Sequence, residues 1–252
     1  MYKANVLSRG FKTLILVVFL LAVAVPVYAE DLWLKDPATG FKVWDPSYLD
    51  NRTFTWTGGC KSGYVDGKGT LTVYYRGQAS RQYEGTYVIG RLSGQGVLIT
   101  YDGHDTSHYE GELRNGERHG KGVMVMQDGT RYEADWEYNN INGRATVIWP
   151  TGERLEGTFK MGLTGEGVKV WPNGDRYEGG FIVGARSSEG IMIFADGTRY
   201  KGNWQDDKCE GYGEISKDGR IIRRGWFFEN QFVGTEEVYR DRQDQRDLEY
   251  DD

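Results

Sequence analysis

The sequence predicts an all-β protein, an elongated single-layer antiparallel sheet built from stacked β-hairpins. Three observations carry that expectation. One phrase recurs along the chain, mostly at intervals of 22 or 23 residues, which is the signature of a one-dimensional array. Within each copy apolar and charged residues alternate with a period of two, as in Tyr109-Glu110-Gly111-Glu112-Leu113, so one face of a strand is apolar and the other charged. Each copy then ends on a turn dipeptide: Asp102-Gly103, Asp128-Gly129, Asn173-Gly174, Asp196-Gly197 or Asp218-Gly219. Asp-Gly and Asn-Gly tolerate the positive φ angles of a two-residue hairpin turn, so each copy is expected to be two strands and such a turn.

Aligned on their first residue, seven copies start at Trp56, Tyr83, Tyr109, Tyr132, Leu155, Tyr177 and Tyr200, and a half copy starts at Arg223. Two residues after each anchor stands glycine, or Ala134 in the fourth copy. A G-x-G pair follows, as at Gly94/Gly96, Gly120/Gly122 and Gly211/Gly213, degraded to Gly143/Ala145 and Ser188/Gly190 in two copies. Glycine makes up 36 of 252 residues, about twice its usual ~7%, and inside a strand it lets a neighbouring aromatic lie flat on the backbone. Those aromatics are the anchors Tyr83, Tyr109, Tyr132, Tyr177 and Tyr200, with Trp136, Phe159, Phe181, Trp204 and Phe227 four places after an anchor. They are the expected core layer, and because a lone hairpin is marginal in water its stability has to come from stacking.

These residues resemble the MORN (membrane occupation and recognition nexus) repeat family, whose pattern is close to Y-E-G-x-W/F followed by x-x-G and G-x-G, over residues 56–234. The resemblance implies a twisted antiparallel sheet of hairpins, used in scaffolds, membrane-junction proteins and fused targeting modules, with no activity common to its members. Plant phosphoinositide kinases also carry such repeats, but no segment outside the repeats here is long enough for a kinase domain.

Three further segments flank the array. Residues 1–29 read as a secretory signal, with Lys3, Arg9 and Lys12 ahead of an apolar run from Leu14 to Val25 and Val27-Tyr28-Ala29 at the cleavage site. Twelve apolar residues make only ~18 Å of helix against a hydrocarbon core of ~30 Å, which favours a cleaved signal over an anchor. Residues 30–55 hold Trp33, Phe41, Trp44 and Tyr48 among Asp-Pro turns and read as an N-terminal cap on the first hairpin. Residues 235–252 carry eight acidic and three basic residues with few apolar ones and read as a disordered tail.

Removing residues 1–29 takes away three positive charges and no negative ones, so the formal net charge moves from −6 to −9. That sign argues against nucleic acid and does not favour anionic membrane surfaces. The chain has no nucleophile elbow, P-loop or H-E-x-x-H motif, and its G-x-G pairs lead into strands rather than helix N-termini. His104 and His108 lie in a swollen loop with Asp102 and Asp105, where an i, i+4 spacing does not converge as it would on a helix. Cys60 and Cys209 stand six repeats apart, roughly 58 Å along a straight array, too far for a disulfide. Cys60 takes an aromatic offset and is expected buried, and Cys209, near a turn, exposed. No cofactor, metal or catalytic residue is expected.

The second strands are apolar on both faces, as in Val97/Ile99 against Leu98 and Ile191/Ile193 against Met192. Two alternatives follow: the sheet curls into a trough over its own side chains, or another surface covers it. Tyr101, Trp149, Trp171 and Phe194, beside the turns, form the expected binding surface. The functional expectation is an exported, non-enzymatic scaffold at the cell envelope that binds a protein, self-association included. The alternatives are a glycan or cell-wall binder, with those rings stacking on sugars, and then a peripheral lipid-surface module. Export predicts that N-terminal sequencing of the secreted or periplasmic protein reads from Glu30. Recovery of intact Met1 in membranes alone would overturn it.

Overall fold

Alternation with a period of two becomes strand after strand. In a computed structural model of the protein, which describes residues 32–45, 51–102 and 105–250, nineteen strands hydrogen-bond into one long sheet that does not close on itself. The export signal read in residues 1–29 lies outside the described residues. The N-terminal part comprises β1 (Trp33–Lys35), β2 (Lys42–Trp44), β3 (Arg52–Trp56), β4 (Gly59–Lys61) and β5 (Tyr64–Tyr75). Hairpin follows hairpin through β6 (Gln78–Val88), β7 (Arg91–Asp102), β8 (Asp105–Arg114), β9 (Glu117–Met126), β10 (Arg131–Glu137), β11 (Asn140–Ile148) and β12 (Arg154–Lys160). The array continues with β13 (Leu163–Val170), β14 (Arg176–Ile182), β15 (Ala185–Ile193), β16 (Arg199–Gln205), β17 (Lys208–Lys217), β18 (Arg220–Phe228) and β19 (Gln231–Gly234). From β5 onward each strand pairs antiparallel with the next.

Most of the two-residue turns are not where the Asp-Gly dipeptides stand. They lie in mid-copy, at Asn115-Gly116 (φ 51° and 76°), Met161-Gly162 (51° and 80°) and Asp206-Asp207 (49° and 66°), where both central residues are left-handed, as a type I′ turn requires. At Asp128-Gly129 and Asp196-Gly197 glycine alone is left-handed (φ 87° and 83°). There the aspartate carboxylate accepts the amide N–H two residues on, from Thr130 (2.8 Å) and Thr198 (2.9 Å), which closes a longer loop. Asp218-Gly219 (52° and 75°) does form the expected two-residue turn, while Gly103 lies outside the described residues.

Register brings the glycines together. From Gly69 to Gly225 the fourteen strands β5 to β18 meet in a cross-strand row that contains only glycine and alanine. The row points to the same face as the anchors, so the rings of Tyr109, Tyr177 and Tyr200 lie over bare backbone. A methyl group at Gly122 would stand 2.2 Å from the Tyr109 hydroxyl oxygen, and one at Gly190 equally close to that of Tyr177. Lying flat brings each hydroxyl to a carbonyl: Tyr109 donates to Glu112 O (2.8 Å), Tyr177 to Gly180 O (3.1 Å) and Tyr200 to Asn203 O (3.0 Å). Where the row carries Ala134 and Ala145, the anchor Tyr132 stays half-buried. The other nine residues of the expected core layer are buried. Successive rings meet edge to face, Tyr177 with Trp204 at 5.2 Å and Tyr200 with Phe227 at 5.1 Å, each such pair adding about 0.5–1.5 kcal/mol beyond burial.

Both ends of the array are covered. At the N-terminus the β1–β2 hairpin packs on the turns rather than only along the first edge: the Trp44 amide donates to Gly90 O (2.8 Å) and Trp33 packs against Tyr64 (5.2 Å). Asp45, fully buried, holds this cap to the array through Arg52 (2.9 Å) and Arg81 (3.6 Å). At the other end the structure corrects the expectation of a disordered tail. Glu236–Tyr250 form a helix, α1, with the Thr235 hydroxyl accepting the Val238 N–H (3.4 Å) at its start and Glu236 and Glu237 in the first turn, where carboxylates favour the helix. Composition misleads because two side chains, Tyr239, 9% exposed, and Arg246, paired with the buried Glu210, supply contacts that dock a mostly charged segment.

Two measurements test this account of the core. Gly122→Ala is expected to lower stability in urea unfolding by about 1–3 kcal/mol, because the methyl group meets a ring that packing holds in place. Gly165→Ala, whose added methyl has nothing nearer than the Thr158 carbonyl oxygen at 3.3 Å, is the control, and equal losses would remove the ring-on-glycine explanation. Burial also pushes the phenols of Tyr83, Tyr109 and Tyr177 up to about 12 from an ordinary 10.0. The fold therefore keeps these groups protonated where the unfolded chain would ionise, so their stabilisation is full below pH ~10 and is lost as pH rises toward ~12. Thermal melts across that range should show a steep alkaline decline, and a flat profile would contradict it.

Candidate functional site

On the face opposite the rings the glycine row leaves a furrow with backbone as its floor. Its volume is about 1870 Å³, and it runs from β7 to β17. First strands place Arg131 beside Glu133 (2.9 Å), Arg154 beside Glu156, and Arg176 beside Glu178 (2.8 Å), two residues apart and so on one face. Second strands slot aliphatic residues between them: Val123 faces Glu133 and Glu110, Val168 faces Glu156 and Glu178, and Ile148 faces Arg131 and Arg154. This arrangement accounts for the apolar second faces, because arginine and glutamate stems on the neighbouring strands cover them in part while the charges stay in water.

The lining carries eight carboxylates, on Glu110, Glu133, Asp135, Glu156, Glu166, Glu178, Glu189 and Glu214, against three cations, on Lys121, Arg144 and Lys201. Four of those glutamates have arginine partners, Glu214 through Arg224. Exposed pairs of this kind stabilise the fold little, so they are available to re-pair with a ligand. Among the described residues no cluster of three or more His, Cys, Asp or Glu side chains could hold a metal ion. His104 lies outside the described residues and His108 is exposed.

The four expected contact rings do not form one surface. Tyr101 stands three residues beyond the buried Leu98 on β7, on the furrow face. Trp149, Trp171 and Phe194 occupy equivalent positions at the loop ends of β11, β13 and β15, where each backbone N–H donates to the carbonyl four residues on (3.0, 2.9 and 2.8 Å). Trp149 and Trp171 pack against the core, and only Phe194 is exposed, at 39%. The Lys169 ammonium lies over both indoles (4.8 and 4.9 Å) and pairs with Glu153 (2.9 Å), a cation–π arrangement that takes up a face of each ring.

The cysteines exchange their expected places. Cys60 is exposed because β4 is a short edge strand pairing only with β5, while Cys209 is half-buried opposite Trp204, and burial pushes its thiol up to about 11. Both are free thiols. The charged strand face expected from the alternation leaves the arginine partners of its glutamates unidentified, although the Arg-x-Glu spacing in three copies is a usable signal. Glu210 and Tyr239, which meet across 29 residues, left no such trace.

Comparison with known proteins found no match among curated relatives. The MORN repeat matches at residues 83–104, 109–131, 132–154, 156–176, 177–199 and 200–219, together more than half of the chain. The copy at Trp56 and the half copy at Arg223 fall outside those segments, yet β5 and β18 continue the same sheet and the same glycine row. With six matched repeats that together cover more than half of the chain and share one row of glycine and alanine across the sheet, this chain belongs to the MORN repeat family, whose modules serve generally as protein or membrane interaction scaffolds.

Proposed function

We propose that this protein is an exported, non-enzymatic MORN-repeat scaffold that presents its open-face furrow to a protein partner at the cell envelope. The furrow carries this reading. It is long, open and acidic on balance, with aliphatic and charged positions repeating every two strands, at about 10 Å. That pattern suits an extended or helical polypeptide, which can place successive side chains at successive repeats, better than a small molecule, which needs an enclosed pocket. Every inner strand is already paired on both sides, so affinity comes from side chains rather than from an added strand. The glycan reading depends on free indole faces, and Lys169 lies between Trp149 and Trp171.

The test is capture of partners from the protein's own envelope fraction with the mature chain and two double variants. Glu156→Lys with Glu178→Lys, in the furrow, is expected to reduce the captured partner at least tenfold with the melting temperature little changed. Trp149→Ala with Trp171→Ala is expected to lower the melting temperature. If the tryptophan variant loses capture while folded and the furrow variant retains it, binding belongs to the core-face rim.

A further inference from the structure

The helix α1 is seated on the furrow face, at the end of the furrow. Tyr239 lies over Trp226 at 5.0 Å with the rings tilted by 33°, and Phe228 is 6.1 Å from it. Trp226 in turn meets Tyr212, the aromatic residue at the end of the furrow lining, at 5.9 Å. Beneath the helix Glu210 is 5% exposed. One of its oxygens accepts the Glu229 amide N–H (2.8 Å), and the other faces the Tyr239 hydroxyl (3.3 Å) and the Arg246 guanidinium (3.4 Å), which also lies over Phe228 (5.0 Å). In the first copy the corresponding Asp66 accepts the equivalent turn amide, from Ile89 (3.0 Å). Glu210, one methylene longer, closes its turn and still turns a buried carboxylate oxygen toward whatever lies on the sheet.

We propose that this seat is a recognition site for a helix of a partner protein that carries an aromatic residue and an arginine seven positions later, and that α1 is its displaceable internal occupant. Residues seven apart share one face of a helix, so Tyr239 and Arg246 reach the seat together, with Gln243 between them donating to the Tyr239 hydroxyl (2.8 Å). α1 is fifteen residues long and mostly charged, and such a helix is marginal by itself. Its order depends on the seat, and a partner helix with the same two groups and more apolar surface competes directly. The proposal rests on the reading of the furrow face as the protein-binding face, and it extends the furrow by the strands that α1 covers.

The test uses the full chain carrying Tyr239→Ala and Arg246→Ala, which unseats α1, and as probe a fluorescein-labelled peptide of residues 235–252. Fluorescence anisotropy is expected to show the peptide binding this variant at least tenfold more tightly than the parent chain. Adding Glu210→Gln to the variant, or Tyr239→Ala to the peptide, is expected to weaken binding at least tenfold. Equal binding to variant and parent, or binding to neither, overturns the proposal. If the double variant fails to fold, the parent chain decides: excess unlabelled peptide must speed hydrogen exchange in residues 236–247, and unchanged exchange overturns it. Exchange of α1 between copies, seen as a dimer in sedimentation, would make a second copy the occupant and overturn the assignment to a partner. The charge reversals at Glu156 and Glu178 lie outside this seat, so a failed furrow reading and a failed seat are told apart.

Discussion

Everything in this sheet depends on the close approach of a ring to a backbone without side chains. A single layer has no second sheet to bury its apolar face, so large side chains have to be covered by the strands that carry them. The glycine row makes that geometry available. Tyr109, Tyr177 and Tyr200 lie down on it, each reaches a carbonyl with its hydroxyl, and the rings four residues after the anchors close edge to face around them. The fourth copy shows the constraint from the other side, since two alanine methyl groups in the row leave Tyr132 half-buried.

The same row produces the surface that the protein offers. Because its positions point their hydrogens at the rings, the opposite face has a continuous strip of backbone between two ridges of side chains. Core and furrow are thus two sides of one sequence feature. A substitution that fills the row at Gly122, Gly190 or Gly213 strains a ring before it reaches the furrow, whereas changes at Glu133, Glu156 or Glu178 alter the furrow without touching a ring. Packing and recognition are separated by strand alternation, which lets the binding face vary while the array stays intact.

The ends obey a different logic. An array of hairpins exposes an unpaired edge at each terminus, and repeat proteins need atypical caps there. At the N-terminus a buried carboxylate, Asp45, engages two arginines and ties the β1–β2 hairpin to the turns. At the C-terminus another buried carboxylate, Glu210, engages Arg246 and Tyr239 on α1. Each cap is therefore tied to the array through a buried acid and its arginine partner, and breaking such a pair is costly.

Period, strand alternation and the ring-over-glycine core were legible in the sequence because they are local properties: each depends on residues within one copy, repeated until chance is excluded. The placement of turns was legible only in part, since Asp-Gly serves a two-residue turn and a longer loop closed by the aspartate side chain equally well, and the choice depends on the register of the flanking strands. The burial of Cys209, the exposure of Cys60 and the cation held between Trp149 and Trp171 were decided by cross-strand neighbours that alternation alone does not identify. The helix α1 was the least legible element. Its composition is that of a solvated tail, and it is ordered by Glu210, Trp226 and Phe228, residues brought under it by the tertiary structure. The sequence by itself determined the architecture, because the repeat writes the same local physics many times. The tertiary structure decided which surfaces stay open, because exposure at any position depends on strands and ends that the position does not encode.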